Sequence, residues 1–420
     1  MTTEQRKPFP AGGRGWNDLK ADMTNRTADD IDWRAGRTPL FVFHADDETY
    51  EIGKNAYLEF FGENALGGKR AFFSIGEMER EILDYGLSLF TAPDGAAGAF
   101  STGGSESIFM AMKAARDSLR ARRGFRPGED RLNLVMPITA HPGFDKAADA
   151  MDIEIRRGEV GEDKRAGADS LRPLIDERTI AIVGSAPCFP HGVVDRIDEL
   201  SALALEADVW LHVDACVGGW LAPWFTAIGR STPTFDFRHE GVRSISADLH
   251  KFGFCPKPAS TVFYRDRADL ERATFMADAW PNGKFGTPTL AGTRPGGAVA
   301  ASWAVLNHLG ESGYKRIATQ LSTMIDNYVS GLEELGFRMI ARPDFSIINY
   351  TTDDADVFEI AEAMTTRGWL PGLTRNPKGL HAMMSLLHEK SREAFLEDLA
   401  WAAGKARAGE AKKATIEATY

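Results

Sequence analysis

From residue 133 to residue 264 short β-type runs, at 133–137, 153–156, 179–185, 209–214, 244–247 and 260–264, alternate with helical stretches such as 197–206. A strand followed by a helix-length connection pairs in parallel with the next, and a parallel sheet needs both faces covered. The pattern therefore predicts an α/β protein whose mostly parallel sheet lies between two helical layers. After Gly297 the pattern changes. Residues 298–309, 314–335, 355–367 and 391–408 read as helices, and 337–340, 346–350 and 380–386 as short strands, which predicts a smaller α+β domain. Upstream, 40–44 reads as a strand, 57–61 as one side of a helix and 75–89 as a helix. Residues 99–104 read as a glycine turn into a helix that begins at 105. Residues 1–35 are polar, with Pro8 and Pro10, and read as an arm that lies on something else. The expected division is an N-terminal segment 1–60, a large domain 61–297 and a small domain 298–420.

At 420 residues and 43% hydrophobic, the chain can bury a large core. A net charge of −11 with dispersed basic residues argues against nucleic acid as the main partner and favours small molecules. Cys188, Cys216 and Cys255 form no CxxC pair, so neither a disulfide framework nor a metal site is expected, and a reducing cytoplasm fits. No run approaches the roughly 20 apolar residues of a membrane span, so no integral membrane segment is expected.

The stretch RSISADLHKFGFCPKPAST, residues 243–261, places a lysine fit for covalent chemistry. Strand-like alternation ends at Ala247, and a turn then presents Asp248, His250 and Lys251 among Leu249, Phe252 and Phe254. Partial burial would lower the pKa of Lys251 and make its amine a nucleophile. Taken alone, the stretch equally fits a lysine that snorkels its head into water.

Three other segments bear on the choice. Gly103-Gly104-Ser105 opens a helix, and such an entry either exposes backbone amides to a phosphate or is a turn capped by Ser105. In HVDACVGGW, residues 212–220, an apolar strand ends on Asp214, whose carboxylate needs backbone amides or a protonated ring nitrogen as partner. His141 follows another strand and by itself reads as structural. Together they provide an anion nest, a flat ring to stack on, an acid for a pyridinium and a lysine for an imine, at the carboxyl ends of strands. That combination calls for pyridoxal 5'-phosphate.

The segments STGGSES (101–107), AHPGFDKAA (140–148), PCFPHGVVD (187–195), HVDACVGGW, SISADLHKFGFCPK (244–257) and PTLAGTRPGG (288–297) resemble sphingosine-1-phosphate lyase and its bacterial relatives. These belong to the pyridoxal-phosphate decarboxylases of fold type I, and the resemblance covers roughly residues 50 to 395. It implies a seven-stranded-type sheet, a homodimer with a shared active site, and pyridoxal phosphate as cofactor. Lys251 would be the Schiff-base lysine, Asp214 the pyridinium partner and His141 the residue stacked on the ring. Gly104, Ser105 and His250 would hold the cofactor phosphate beside Cys216, with Gly292 and Thr293 contributed by the other subunit. Lys257, six residues after Lys251, and Asn64 match positions that bind the substrate phosphate.

The sequence also departs from that pattern. Gly67 stands where the family has a histidine, with Lys69 and Arg70 following. Phe43 or His44 stands at the catalytic tyrosine, and Phe252 and Phe254 replace tyrosines. A phenyl ring cannot donate a hydrogen bond or move a proton, so either His44 or Tyr50 takes over or the substrate differs. The expected reaction is retro-aldol cleavage of a phosphorylated amino alcohol, an anionic amine, to an aldehyde and phosphoethanolamine. The alternative is amino-acid decarboxylation on the same scaffold. A cofactor-binding scaffold that has lost catalysis is the non-enzymatic reading.

Overall fold

A computed structural model describes residues 6–128 and 130–418; residues 1–5 of the expected arm and 419–420 of the small domain lie outside the described residues. Seven strands form the main sheet: β1 (Ala97–Ser101), β2 (Asn133–Pro137), β3 (Glu154–Gly158), β4 (Thr179–Ser185), β5 (Trp210–Asp214), β6 (Val242–Ala247) and β7 (Ser260–Tyr264). Their order is β1-β7-β6-β5-β4-β2-β3. The pairs from β3 through β6 are parallel, and only β7 runs against its neighbours β6 and β1. The expected α/β architecture is therefore present.

The period of two along each strand sorts side chains into two cores. Val135, Ile182, Leu211, Val213 and Ile245 face one way, against helices Phe73–Leu89, Ile197–Ala207 and the helical stretch Gly296–Glu334. Leu134, Met136, Ala181, Val183 and Trp210 face the other, against helices Gly104–Arg123 and Gly143–Met151. Each of the larger aliphatic side chains among these contributes about 1.5–3 kcal/mol by leaving water. Because both faces are dry, most buried polar residues of these strands are held by hydrogen bonds, as Asn133 and Thr179 are to each other and Ser246 is to Asp214.

Two short strands, β8 (Phe275–Ala277) and β9 (Phe285–Thr287), form a hairpin. A four-stranded antiparallel sheet follows, made of β10 (Arg338–Met339), β11 (Ile347–Thr351), β12 (Gly372–Arg375) and β13 (Lys378–Met383), with helices Val357–Thr365 and Arg392–Arg407. The two helices expected at 298–309 and 314–335 are present within the stretch Gly296–Glu334, and they meet at a break at Gly310, whose φ of +51° and ψ of −171° are not helical.

Two local expectations are corrected. Residues 40–44 are not a strand: Phe41 has φ +68°, and the Val42 amide donates to the Leu40 carbonyl, a three-residue turn that breaks the extended run. Residues 97–101, read in part as a turn, form strand β1. Gly98 is needed there, since a Cβ would lie 2.7 Å from the Phe263 ring of β7. Helix Trp16–Arg26 has no buried residue, and Trp16 and Met23 are exposed on it. Among the described residues no helix is long and apolar enough to cross a membrane.

Candidate active site

The carboxyl ends of β1, β2, β4, β5 and β6 surround a cavity of about 410 Å3. Thr102–Glu106 follow β1, His141 follows β2, Ser185 and Pro187 end β4, Asp214 and Cys216 end β5, and Asp248, His250 and Lys251 follow β6. The strand order reverses between β2 and β4, and a crevice at such a point is where open α/β sheets bind ligands.

Lys251 Nζ lies 2.9 Å from Asp248 Oδ2, with both side chains largely buried. Burial alone would push the Asp248 carboxyl up, but the nearby Lys251 charge, the adjacent His250 ring and its hydrogen bonds hold it below the usual carboxylate range. Its second oxygen, Oδ1, is buried without a hydrogen-bond partner. The His250 ring is fixed by the Ala259 amide, which donates to Nδ1 at 3.1 Å, so Nε2 carries the proton and faces Asp248 at 3.6 Å.

Asp214 ends a buried polar ladder. Trp210, His212 and Asp214 share one face of β5, and Ser244 and Ser246 stand opposite them on β6. Trp210 Nε1 donates to Ser244 Oγ at 2.7 Å, and the His212 ring nitrogens lie 2.8 Å from Ser244 Oγ and 3.2 Å from Ser246 Oγ. Ser246 Oγ in turn donates to Asp214 Oδ1 at 3.1 Å, as does the Cys216 amide. Burial drives the His212 pKa down to about 4, so its imidazole is neutral at pH 7. The ladder points the Asp214 carboxylate into the cavity without a counter-charge in its own chain of bonds.

At the other end, Gly104 and Ser105 open helix Gly104–Arg123; the Glu106 and Ser107 amides donate to the Gly103 carbonyl, which leaves the Gly104 and Ser105 amides as the first-turn donors without an intrahelical partner. A Cβ on Gly104 would lie 2.8 Å from Cys216 Sγ and 2.9 Å from Asp248 Oδ2, so only glycine fits. Burial keeps the Cys216 thiol protonated. His141 accepts a hydrogen bond from the Gly143 amide at Nδ1, and burial lowers its pKa against the opposing pull of Asp214.

Gly104, Ser105, His141, Asp214, Cys216, His250 and Lys251, all expected from sequence, thus line one cavity. The other named positions stand outside the cavity of the single chain. Lys257 is solvent-exposed, yet the protein around it strips part of its hydration and the Lys251 charge repels it, which together lower its pKa. Asn64 Nδ2 donates to Thr293 Oγ1 at 3.4 Å, which joins Asn64 to the Gly292-Thr293 loop. His44 packs with Trp33 and Tyr50 and lies 3.2 Å from Asp47. Phe43 packs on Phe252, and Phe252 and Phe254 are buried against each other and Phe345 and Tyr314, with neither ring in the cavity wall. The space at Gly67 is filled: a Cβ there would lie 2.9 Å from the Phe72 ring.

Residues 74–351 match the family model of the pyridoxal-dependent decarboxylase conserved domain. The chain belongs to the pyridoxal-dependent decarboxylase family. Within this family it is similar to the sphingosine-1-phosphate lyase of Oryza sativa, 33% identical over 393 residues, 91% of this chain and 72% of the relative. A structure of the sphingosine-1-phosphate lyase from Burkholderia pseudomallei superposes with a TM-score of 0.91 at 34% identity, covering 97% of this chain and 95% of that one. A probable L-tyrosine/L-aspartate decarboxylase of Methanothermobacter thermautotrophicus is 31% identical over 84% of this chain and 94% of its own length. The chain is accordingly a pyridoxal-phosphate-dependent enzyme of the lyase type.

The cavity fits that cofactor on its own terms. The glycine-only approach at Gly104 beside free first-turn amides suits a phosphate, the laddered carboxylate of Asp214 suits a protonated ring nitrogen, and the amine of Lys251 reaches the space between them. Sequence reasoning missed Ser246, His212 and Glu106 as parts of the site; Asp248 it placed in the turn with Lys251, without its ion-pair role. For Ser246 and His212 the signal was present as polar residues two apart on facing strands.

Proposed function

We propose that the chain is a homodimeric carbon–carbon lyase that cleaves a phosphorylated amino alcohol, as its sphingosine-1-phosphate lyase relatives are named for doing, into an aldehyde and phosphoethanolamine. The observation that carries the reading is the convergence of Lys251, Asp214 and His141 on one cavity whose neighbour Lys257 stands close enough to feel the charge of Lys251. Bound pyridoxal phosphate supplies an electron sink for the bond broken at the substrate's α-carbon. Lys251 would hold the cofactor and, once freed by the substrate amine, would be placed to move a proton at the substrate, with Asp248 orienting its amine. Asp214 keeps the ring nitrogen protonated, His141 stacks on the ring, and Gly104, Ser105 and His250 hold the phosphate.

Asn64, Gly292 and Thr293 act in this reading at the site of the other subunit, consistent with their standing together away from the cavity of their own chain. Lys257 receives the substrate phosphate as a mobile point charge. With Phe252 and Phe254 turned into the core, His44 or Tyr50 of the N-terminal segment takes the place of the missing phenol. The decarboxylase reading draws on the archaeal relative and on that missing phenol. A panel of phosphorylated and unphosphorylated amino alcohols beside amino acids separates the two: turnover confined to phosphorylated amino alcohols supports the lyase, and turnover confined to amino acids overturns it.

A further inference from the structure

Glu106 is buried in the first turn of helix Gly104–Arg123, yet neither the cofactor roles above nor the helix itself require its full set of bonds. Its Oε2 accepts from the Thr102 amide at 2.7 Å and from Thr102 Oγ1 at 2.6 Å, and its Oε1 accepts from the Ala291 amide at 2.7 Å. Thr102 leads directly into the Gly103–Ser105 cradle of its own site. Ala291 leads directly into Gly292-Thr293. One carboxylate therefore ties two loops that are 185 residues apart in sequence. The far side of the second loop is tied in turn to Asn64, through Thr293 and through the Ala65 amide, which donates to the Arg294 carbonyl. Leu290 is 63% exposed, so the loop lies at the surface and is held from beneath.

We infer that Glu106 is a positioning residue that couples the two active sites of the dimer, fixing the cofactor-phosphate cradle of its own subunit and the 289–293 loop that completes the neighbouring site. The inference rests on the proposed dimeric reading, in which Gly292 and Thr293 serve the other subunit. The short, charge-assisted bonds resist stretching, so a shift of either loop is felt by the other. A residue that merely capped its own helix would act on its own site alone.

The test uses the cofactor-loaded protein in heterodimers assembled from differently tagged subunits, read by the rate of pyridoxal phosphate loss to a scavenger. In one heterodimer a single subunit carries both Glu106→Gln and Lys251→Ala and its partner is wild type. The scored site then has an intact Lys251 and an intact cradle, and only its borrowed loop has lost the Glu106 carboxylate. Cofactor loss about tenfold faster than in the heterodimer carrying Lys251→Ala alone is expected, the scale of one charge-assisted bond. Equal rates, with acceleration only when Glu106→Gln lies in the subunit that keeps Lys251, overturn the inference. Ala291→Pro, which removes the donating amide and leaves the Thr102 branch, gives a second variant and is expected to act only across the interface. Sedimentation of the wild type as a monomer would overturn the dimeric reading itself, and is seen before any cofactor is measured.

Discussion

Lys251 Nζ and Asp248 Oδ2 are an ion pair 2.9 Å apart at the floor of the cavity, and the other oxygen of Asp248 is buried without a partner. Removing one member of a buried pair leaves the other uncompensated, at about 3–5 kcal/mol. Lys251→Ala is expected to abolish the visible absorbance of lysine-bound pyridoxal phosphate, keep the far-UV circular dichroism of the fold, and lower the melting temperature. Retained visible absorbance would remove Lys251 from its assigned role.

Gly104→Ala tests the cradle. The added methyl would meet Cys216 Sγ at 2.8 Å and both oxygens of Asp248 at 2.9 and 3.0 Å, and Asp248 cannot withdraw without disturbing its pair with Lys251. Cofactor affinity is expected to fall at least about tenfold, the scale of a lost phosphate bond, and the apoprotein to lose about 1–3 kcal/mol of stability because the clash is with its own buried atoms. Unchanged affinity in an equilibrium titration would place the phosphate elsewhere.

How far the site could be read from sequence depended on whether its signal was local. Lys251, Asp214, His141 and Gly104 each sit where a strand ends in a recognisable turn, and all four reach one cavity. Asp248 acts locally, three residues before Lys251, whereas Glu106 acts through a contact that no local pattern announces, with an amide 185 residues away. The same distinction runs through the fold. Strand β1, AGAFS, has weak strand-formers and is a strand because β7 pairs with it and Phe263 occupies the space over Gly98. The apolar run at 40–44 looks extended but is bent by a positive φ at Phe41 and tied by the Met383 amide to the Pro39 carbonyl. Gly310, with non-helical φ and ψ, is the break between the two helices that the sequence separates at 298–309 and 314–335.

The His212 ladder makes a prediction about pH. Burial lowers the His212 pKa to about 4, whereas in the unfolded chain it titrates near 6.5. Below pH 6.5 the unfolded chain gains a proton that the folded chain refuses, so this group's contribution to stability is lost as pH falls toward 4. Between pH 7 and pH 5 that loss is about 2 kcal/mol. In urea denaturation, the stability advantage of the wild type over His212→Asn should shrink by that amount at pH 5. An advantage independent of pH would mean that folding leaves the His212 pKa near 6.5, and one that grows at pH 5 would mean that His212 is charged in the fold.

Lys257→Ala addresses the substrate. The lysine is exposed and outside the core, so the fold should be unaffected. KM for phosphorylated amino alcohols should rise about tenfold or more, the scale of a charge-assisted contact, against little change for unphosphorylated ones. Equal effects on both would remove its phosphate-binding role.

The most direct test of carbon–carbon cleavage is product analysis of the cofactor-loaded protein incubated with sphingosine 1-phosphate or its dihydro form. Fatty aldehyde and phosphoethanolamine, formed in equal amounts over many turnovers and absent with Lys251→Ala, are the predicted result. No aldehyde from either compound, together with carbon dioxide released from an amino acid by the same preparation, would contradict it.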